Sequence, residues 1–263
     1  MLSEEQLSEY YLNNYRKDYQ RVSSGPTLKH IKKRVFEAET RLSRLEPYLQ
    51  KKSRILDFGC GSGELLSALS KQIPFPDLIT GVDLSSLMAK KARQKGLDVI
   101  NASFETVFFE RETVVLGVFQ ESIHHADFNL LGPNLNRIMS SEGQIIVFYQ
   151  TDWSIDPETE QLNNFIEFAR SRRTGPDRII KALSLFGWSL KEEKIIEDRQ
   201  AISFSYLEDA LSHNALSYWI NFDDAKKSDC LHQIKNLVDE SDLVLKRKVK
   251  AMVFKKRPAE NTV

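Results

Sequence analysis

From Arg54 onward, short apolar runs alternate with stretches whose apolar positions recur every three or four residues. The runs at 54–58, 78–83, 99–101, 113–119 and 143–150 are short enough for strands. The run at 113–119 is continuously apolar, as expected of a strand buried on both faces. Between them, residues 64–72, the stretch that Ser85 caps and Gly96 stops, and residues 129–139 carry helical spacing. Strands alternating with helices of this length predict a doubly wound, mostly parallel, Rossmann-like sheet.

The flanks differ. Ser3, with Gln6 three residues on, opens a helical stretch to Tyr19, and Ser24-Gly25-Pro26 breaks it. A second helix follows over 27–49, with Ile31, Val35, Ala38, Leu42 and Leu45 on one stripe. After the fifth strand, helices are expected over 157–173 and up to Phe186, then strands over 194–204 and 243–254 around a helical insertion. The expected organisation is one domain: an N-terminal helical cap (1–50), a core (51–204), a helical insertion (205–242) and a last strand (243–257). The helical parts are expected to roof the crevice at the strands' C-terminal ends, where ligands bind in such sheets.

Composition narrows the partners. The chain has 263 residues, 41% apolar and 28% charged, as in a packed globular protein. Lys+Arg and Asp+Glu each total 37, so no net positive charge favours a nucleic acid. The short basic clusters, Lys246-Arg247-Lys248 among them, read as solvated faces that leave a phosphate-bearing substrate possible. The two cysteines, Cys60 and Cys230, make neither a disulfide framework nor a metal site. Residues 1–10 are polar and acidic rather than a secretory signal, and no apolar run approaches the ~20 residues a membrane helix needs. A cytoplasmic protein is the expectation, with no metal and no membrane partner.

The densest chemistry lies in Asp57-Phe58-Gly59-Cys60-Gly61-Ser62-Gly63, between a strand and a helix N-terminus. Alternate glycines let a ligand approach the main chain. Asp83 closes the next strand, twenty residues after Gly63, where an acid can accept hydrogen bonds from both hydroxyls of a ribose. The third glycine comes one residue too early for the dinucleotide fingerprint, and Glu64 follows it. An acid at the helix start repels a pyrophosphate and suits a cationic ligand. A nicotinamide-dependent oxidoreductase therefore fits the fold but not the spacing.

This stretch, with Gly81-Val82-Asp83-Leu84-Ser85 and Ile123-His124-His125-Ala126-Asp127, resembles the class I S-adenosylmethionine-dependent methyltransferases over about residues 54–150. The resemblance implies S-adenosylmethionine as cofactor. It implies that Asp57 and the backbone of Gly59, Cys60, Gly61 and Gly63 hold the methionine part, and that Asp83 binds the ribose. Leu84 and Met88 would lie against ribose and adenine. Many relatives carry an acid after the third strand that contacts the adenine amino group. Here Ala102-Ser103-Phe104-Glu105 stands instead, leaving Ser103 a hydrogen bond and Phe104 a ring to offer, or a core role.

The fourth strand runs out into Gln120-Glu121-Ser122-Ile123-His124-His125, facing the methyl group in this fold. Gln120 counts among the cofactor-binding candidates. The segment does not match the Asn/Asp-Pro-Pro-aromatic motif of enzymes that methylate nucleic-acid bases. A histidine near its ordinary pKa of ~6.5 can take a proton from an attacking hydroxyl. Two adjacent histidines are not expected to point the same way, and His125 is favoured over His124 as the base. Asp152 and Trp153, after the fifth strand, and Tyr11 and Tyr15, on one face of the first helix with Tyr19, are candidate substrate contacts; each has a bland alternative in capping or packing. The expected function is methyl transfer to a small molecule, at oxygen. The alternatives are a protein or RNA methyltransferase and a non-catalytic binding module of the same fold.

Overall fold

The computed structural model describes residues 54–72, 78–156, 163–164, 167, 174–205, 207–208, 224–237 and 243–257. The helices expected within residues 1–50, with Tyr11 and Tyr15, and most of the helix expected over 157–173, lie outside the described residues.

The described elements are β1 (Arg54–Phe58), α1 (Glu64–Gln72), β2 (Ile79–Asp83), α2 (Ser86–Gln94), β3 (Val99–Asn101), β4 (Val114–Gln120), a 3₁₀ turn at Ile123–His125, α3 (Phe128–Ile138), β5 (Met139–Asp156), α4 (Pro176–Leu185), β6 (Trp188–Ile202), α5 (Asp224–Leu237) and β7 (Leu243–Lys256). Elements from β1 to α3 lie within one residue of the sequence expectation. Local signals account for that. Ser85 caps α2 by accepting the Met88 N–H, and Asp127 caps α3 by accepting the Asn129 N–H.

All seven strands form one sheet in the order β3-β2-β1-β4-β5-β7-β6. Pairs from β3 to β5 are parallel; β7 runs antiparallel to both β5 and β6. The expected doubly wound, mostly parallel sheet is the one observed.

Strand alternation divides the core. Ile55 of β1 faces the side covered by Leu65, Leu66 and Leu69 of α1 and Ala89 and Ala92 of α2. Its neighbour Leu56 faces the side covered by Leu131 and Leu135 of α3 and Ile179 and Leu183 of α4. Phe58 stacks on Phe119 with ring centroids 4.6 Å apart, locking the ends of β1 and β4 together.

The last three strands differ from expectation. β5 was expected to end at Gln150 but continues to Asp156, because β7 pairs with it as far as Asp156↔Val244. Asp152 and Trp153 therefore sit in a strand, opposite Lys248 and Arg247, and not in a loop that caps a helix. β6 was expected over 194–204 but spans Trp188–Ile202. The charged run Lys191-Glu192-Glu193-Lys194 hides its start, since on an edge strand such side chains can stay in water. The basic run on β7 is only partly a solvated face. Alternation sends Arg247 inward with Leu245 and Val249, where it pairs with Asp198 at 3.4 Å and only 3% of it is exposed. Burial lowers the Arg247 guanidinium to about 10, so it keeps its charge at neutral pH.

Candidate functional site

The ends of β1, β2 and β4 meet at the glycine loop. The N–H groups of Gly59 and Cys60 both donate to the Val82 carbonyl, at 2.7 and 3.1 Å, which ties the loop to the end of β2. Gly59, Gly61 and Gly63 have φ of 76°, 57° and 84°, in the left-handed region. Space is as restrictive as angle. A Cβ on Gly59 would come within 2.5 Å of the Ser122 Cβ, and one on Gly63 within 2.4 Å of a Leu97 methyl. Ser122 is held against the loop by donating its hydroxyl proton to the Phe58 carbonyl.

Asp83 closes β2 and faces this loop. Its carboxylate accepts the Gly61 N–H at 2.7 Å and the Ser85 N–H at 2.8 Å. Each oxygen retains acceptor capacity for a ligand hydroxyl. Leu84 is 44% exposed beside it, an apolar surface for a ribose or purine. Met88, expected to share that role, is 2% exposed, turned into the protein by the helix that Ser85 caps. Asn101 donates to the carbonyls of Asp83 and Leu84, fixing the turn between them and β3.

Asp57 is 1% exposed, and its Oδ1 has no hydrogen-bond partner in the protein. Burial first, and then the charges of Asp83 and Glu64, push its carboxyl up to about 8. The Oε1 of Gln120, at the end of β4, is likewise buried without a partner. Burial also raises the Cys60 thiol, with the neighbouring carboxyl groups of Asp57 and Asp83 adding to it, so this cysteine offers backbone and not a thiolate. Glu64, the acid at the helix start, accepts the Ser62 hydroxyl and pairs with Lys95 at 3.1 Å.

Beyond β3, Ser103 and Glu105 hydrogen bond to each other, and the second Glu105 oxygen accepts the Asp127 N–H at 3.1 Å. Glu105, the acid in the stretch read after β3, is thus turned toward the segment after β4. Phe104 packs edge-on against Phe119, 5.8 Å between centroids, which is its core role.

The 3₁₀ turn brings the two histidine rings together with centroids 3.9 Å apart, correcting the expectation that they point apart. Each 3₁₀ residue turns ~120°, but χ rotation of two long side chains closes that gap. His124 also meets the ring of Tyr149 edge-on at 6.1 Å. Tyr149 was not among the expected site residues. Its signal was its place on β5, level with the end of β4 where Gln120 pairs with Phe148. Glu121 was missed too: it has φ of 55°, a strained angle for a non-glycine residue at the point where β4 breaks.

Residues 55–143, which hold the glycine loop and the strands from β1 to β4, match the family model described as a methyltransferase domain. In sequence, 26% of the chain is 35% identical over 77 residues to a carboxy-S-adenosyl-L-methionine synthase from Trichodesmium erythraeum. The chain spans about 30% of that relative's length. In structure it is similar to a proposed type II methyltransferase from Anaeromyxobacter dehalogenans, with a TM-score of 0.60, 15% identity and coverage of 83% of this chain and 96% of that one. It is also similar to geranyl diphosphate C-methyltransferase from Streptomyces coelicolor, with a TM-score of 0.52, 11% identity and coverage of 88% and 85%. These structural likenesses establish the fold.

The residues present fit S-adenosylmethionine as cofactor. Asp57 Oδ1 and Gln120 Oε1 are buried acceptors in need of donors, Asp83 is placed for hydroxyls, and Leu84 is placed for an apolar ring.

Proposed function

We propose that this chain transfers a methyl group from S-adenosylmethionine to a small-molecule acceptor, at oxygen. The carrying observation is the partnerless, buried Asp57 Oδ1 at the end of β1, beside a loop of positive-φ glycines, an acceptor set for an ammonium group. The similarity to carboxy-S-adenosyl-L-methionine synthase supports the cofactor but not that relative's activity, since it covers a part of the chain only. Zero net charge, and a structural neighbour named for the small acceptor geranyl diphosphate, support a small molecule over a nucleic acid.

In this reading the cofactor supplies an activated methyl group on a sulfonium. Asp57 and the backbone of Gly59, Cys60, Gly61 and Gly63 hold its amino-acid end. Asp83 accepts from the ribose hydroxyls and Leu84 covers them, while Gln120 accepts beside the sulfonium end. Ser103 shapes the loop toward the adenine. His124 or His125 takes the acceptor's hydroxyl proton, and the protein otherwise acts by alignment, which can supply much of the rate enhancement. Tyr149, Asp152 and Trp153 flank the acceptor. The segments 1–50, with Tyr11 and Tyr15, and 205–242 form the acceptor side of a single domain.

The test is calorimetric titration with S-adenosylmethionine and, separately, with NAD, on wild type and Asp83→Ala. Micromolar binding of S-adenosylmethionine alone, weakened at least ~100-fold in the variant, is expected, because two ribose hydrogen bonds to a charged acceptor are lost. Binding of NAD instead would overturn the reading.

A further inference from the structure

We propose, resting on the cofactor reading above, that Asp57 is a proton-linked selector for the cofactor's ammonium group: neutral before binding, it releases its proton when the ammonium arrives.

Three carboxyl groups surround the glycine loop, and they are unequally satisfied. Asp83, from β2, accepts two backbone N–H groups. Glu64, from α1, has the Ser62 hydroxyl and the Lys95 ammonium. Asp57, from β1, has one oxygen with no donor at all, and its side chain is sealed from water. Ionising a buried carboxylate without a partner costs several kcal/mol, so such a group holds its proton instead. Its carboxyl lies at about 8, for the reasons of burial and repulsion already given. The neighbouring thiol of Cys60 is also driven toward its neutral form. At the loop, the charges that act on Asp57 are those of Asp83 and Glu64, the second offset by Lys95.

An arriving ammonium changes this balance. Its N–H donates to Oδ1, and its charge favours the ionised carboxylate. The O–H bond of Asp57 breaks, the proton passes to solvent, and the ammonium keeps all its own protons. A neutral analogue in the same place supplies no such charge and leaves the acid protonated. Asp57 thereby converts the charge of the ligand into affinity.

The sign follows from linkage. Well below pH 8 the free site must lose a proton to bind, so the association constant rises about tenfold from pH 6 to pH 7. Above that the gain levels off, and the ligand's own α-amino group begins to titrate.

Calorimetric titration with S-adenosylmethionine at pH 6.5, in phosphate and in imidazole buffers, reads the proton directly. Wild type is expected to release about one proton per ligand bound; Asp57→Asn releases none, and its affinity is flat from pH 6 to 7. An infrared difference spectrum of wild type gives a second readout that needs no variant. The carbonyl stretch of a protonated carboxylic acid is expected in the free protein and lost on binding. Tight binding with equal heats in both buffers, an unchanged infrared band, or release that persists in Asp57→Asn would each overturn the proposal while leaving the cofactor assignment intact. Absence of any binding by wild type would instead remove the cofactor assignment, and this inference with it.

Discussion

The two halves of the sheet are built to different rules. In the parallel half the strands are short: β3 has three residues, β1 and β2 five, and β4 seven. Each stops early and hands its chain to a loop, and three glycines and Glu121 there have positive φ. In the antiparallel half β5, β6 and β7 have 18, 15 and 14 residues, paired continuously but for two register shifts. Their charges meet across strands: Arg247 with Asp198, Lys250 with Glu193, Lys248 with Glu197 and Lys246 with Asp156. One half leaves polar atoms unsatisfied at its strand ends, where a ligand can use them. The other pairs its charges across strands, and its own buried unpartnered atoms, such as Gln144 Oε1, Trp188 Nε1 and Gln200 Oε1, lie outside the glycine loop. Strain concentrated at the loops and order concentrated in the ribbon is the division expected of a binding fold.

The sharpest way to break this comparison is at the buried ion pair. Arg247→Met leaves Asp198 charged and sealed away, and is expected to destabilise the protein by about 3–5 kcal/mol in urea unfolding. Adding Asp198→Leu should recover most of that loss, because two apolar side chains can replace a buried pair. A single variant that costs less than about 1 kcal/mol would mean the pair does not anchor the ribbon.

Next in size is the loop. Gly59→Ala forces a left-handed alanine against the Ser122 Cβ, at an expected cost of about 3 kcal/mol. It should also abolish cofactor binding in the calorimeter, whereas Arg247→Met leaves binding measurable in the folded fraction. Loss of binding from both variants alike would erase the distinction between the halves. The smallest effect is expected at the surface. Lys248 and Glu197 are 56% and 59% exposed and 3.7 Å apart, so Lys248→Ala should shift stability by less than about 0.5 kcal/mol.

The same contrast explains what could be read from the sequence. The parallel half was legible because its strands are plain apolar runs and its ends carry Gly59-Cys60-Gly61-Ser62-Gly63 and Asp83, residues with few other uses in that order. The ribbon was not, because its strands are specified by their partners. Thr151-Asp152-Trp153-Ser154 has no apolar run, and becomes a strand only because Lys246, Arg247 and Lys248 lie beside it. Arg247 looked solvated in a basic triplet. The alternation Leu245, Arg247, Val249 was the available signal, and it placed the arginine inside. In the site, Asp57 and Asp83 declared themselves by spacing. Tyr149 did not, since it meets His124 through a contact between elements far apart in the chain.

The outermost strand of the ribbon has a consequence for how copies of the chain meet. Among the described residues no strand pairs with the far side of β6, which leaves a long row of backbone donors and acceptors at the edge of the sheet. Such a row is a template for edge-to-edge polymerisation. Here Lys191, Glu192, Glu193 and Lys194 stand exposed along it, with Glu197 and Arg199 further on. A second copy laid alongside would have to desolvate these charges in close quarters. The polar stretch that obscured β6 in the sequence is thus also a row of charge that edge-to-edge pairing at this strand would have to desolvate.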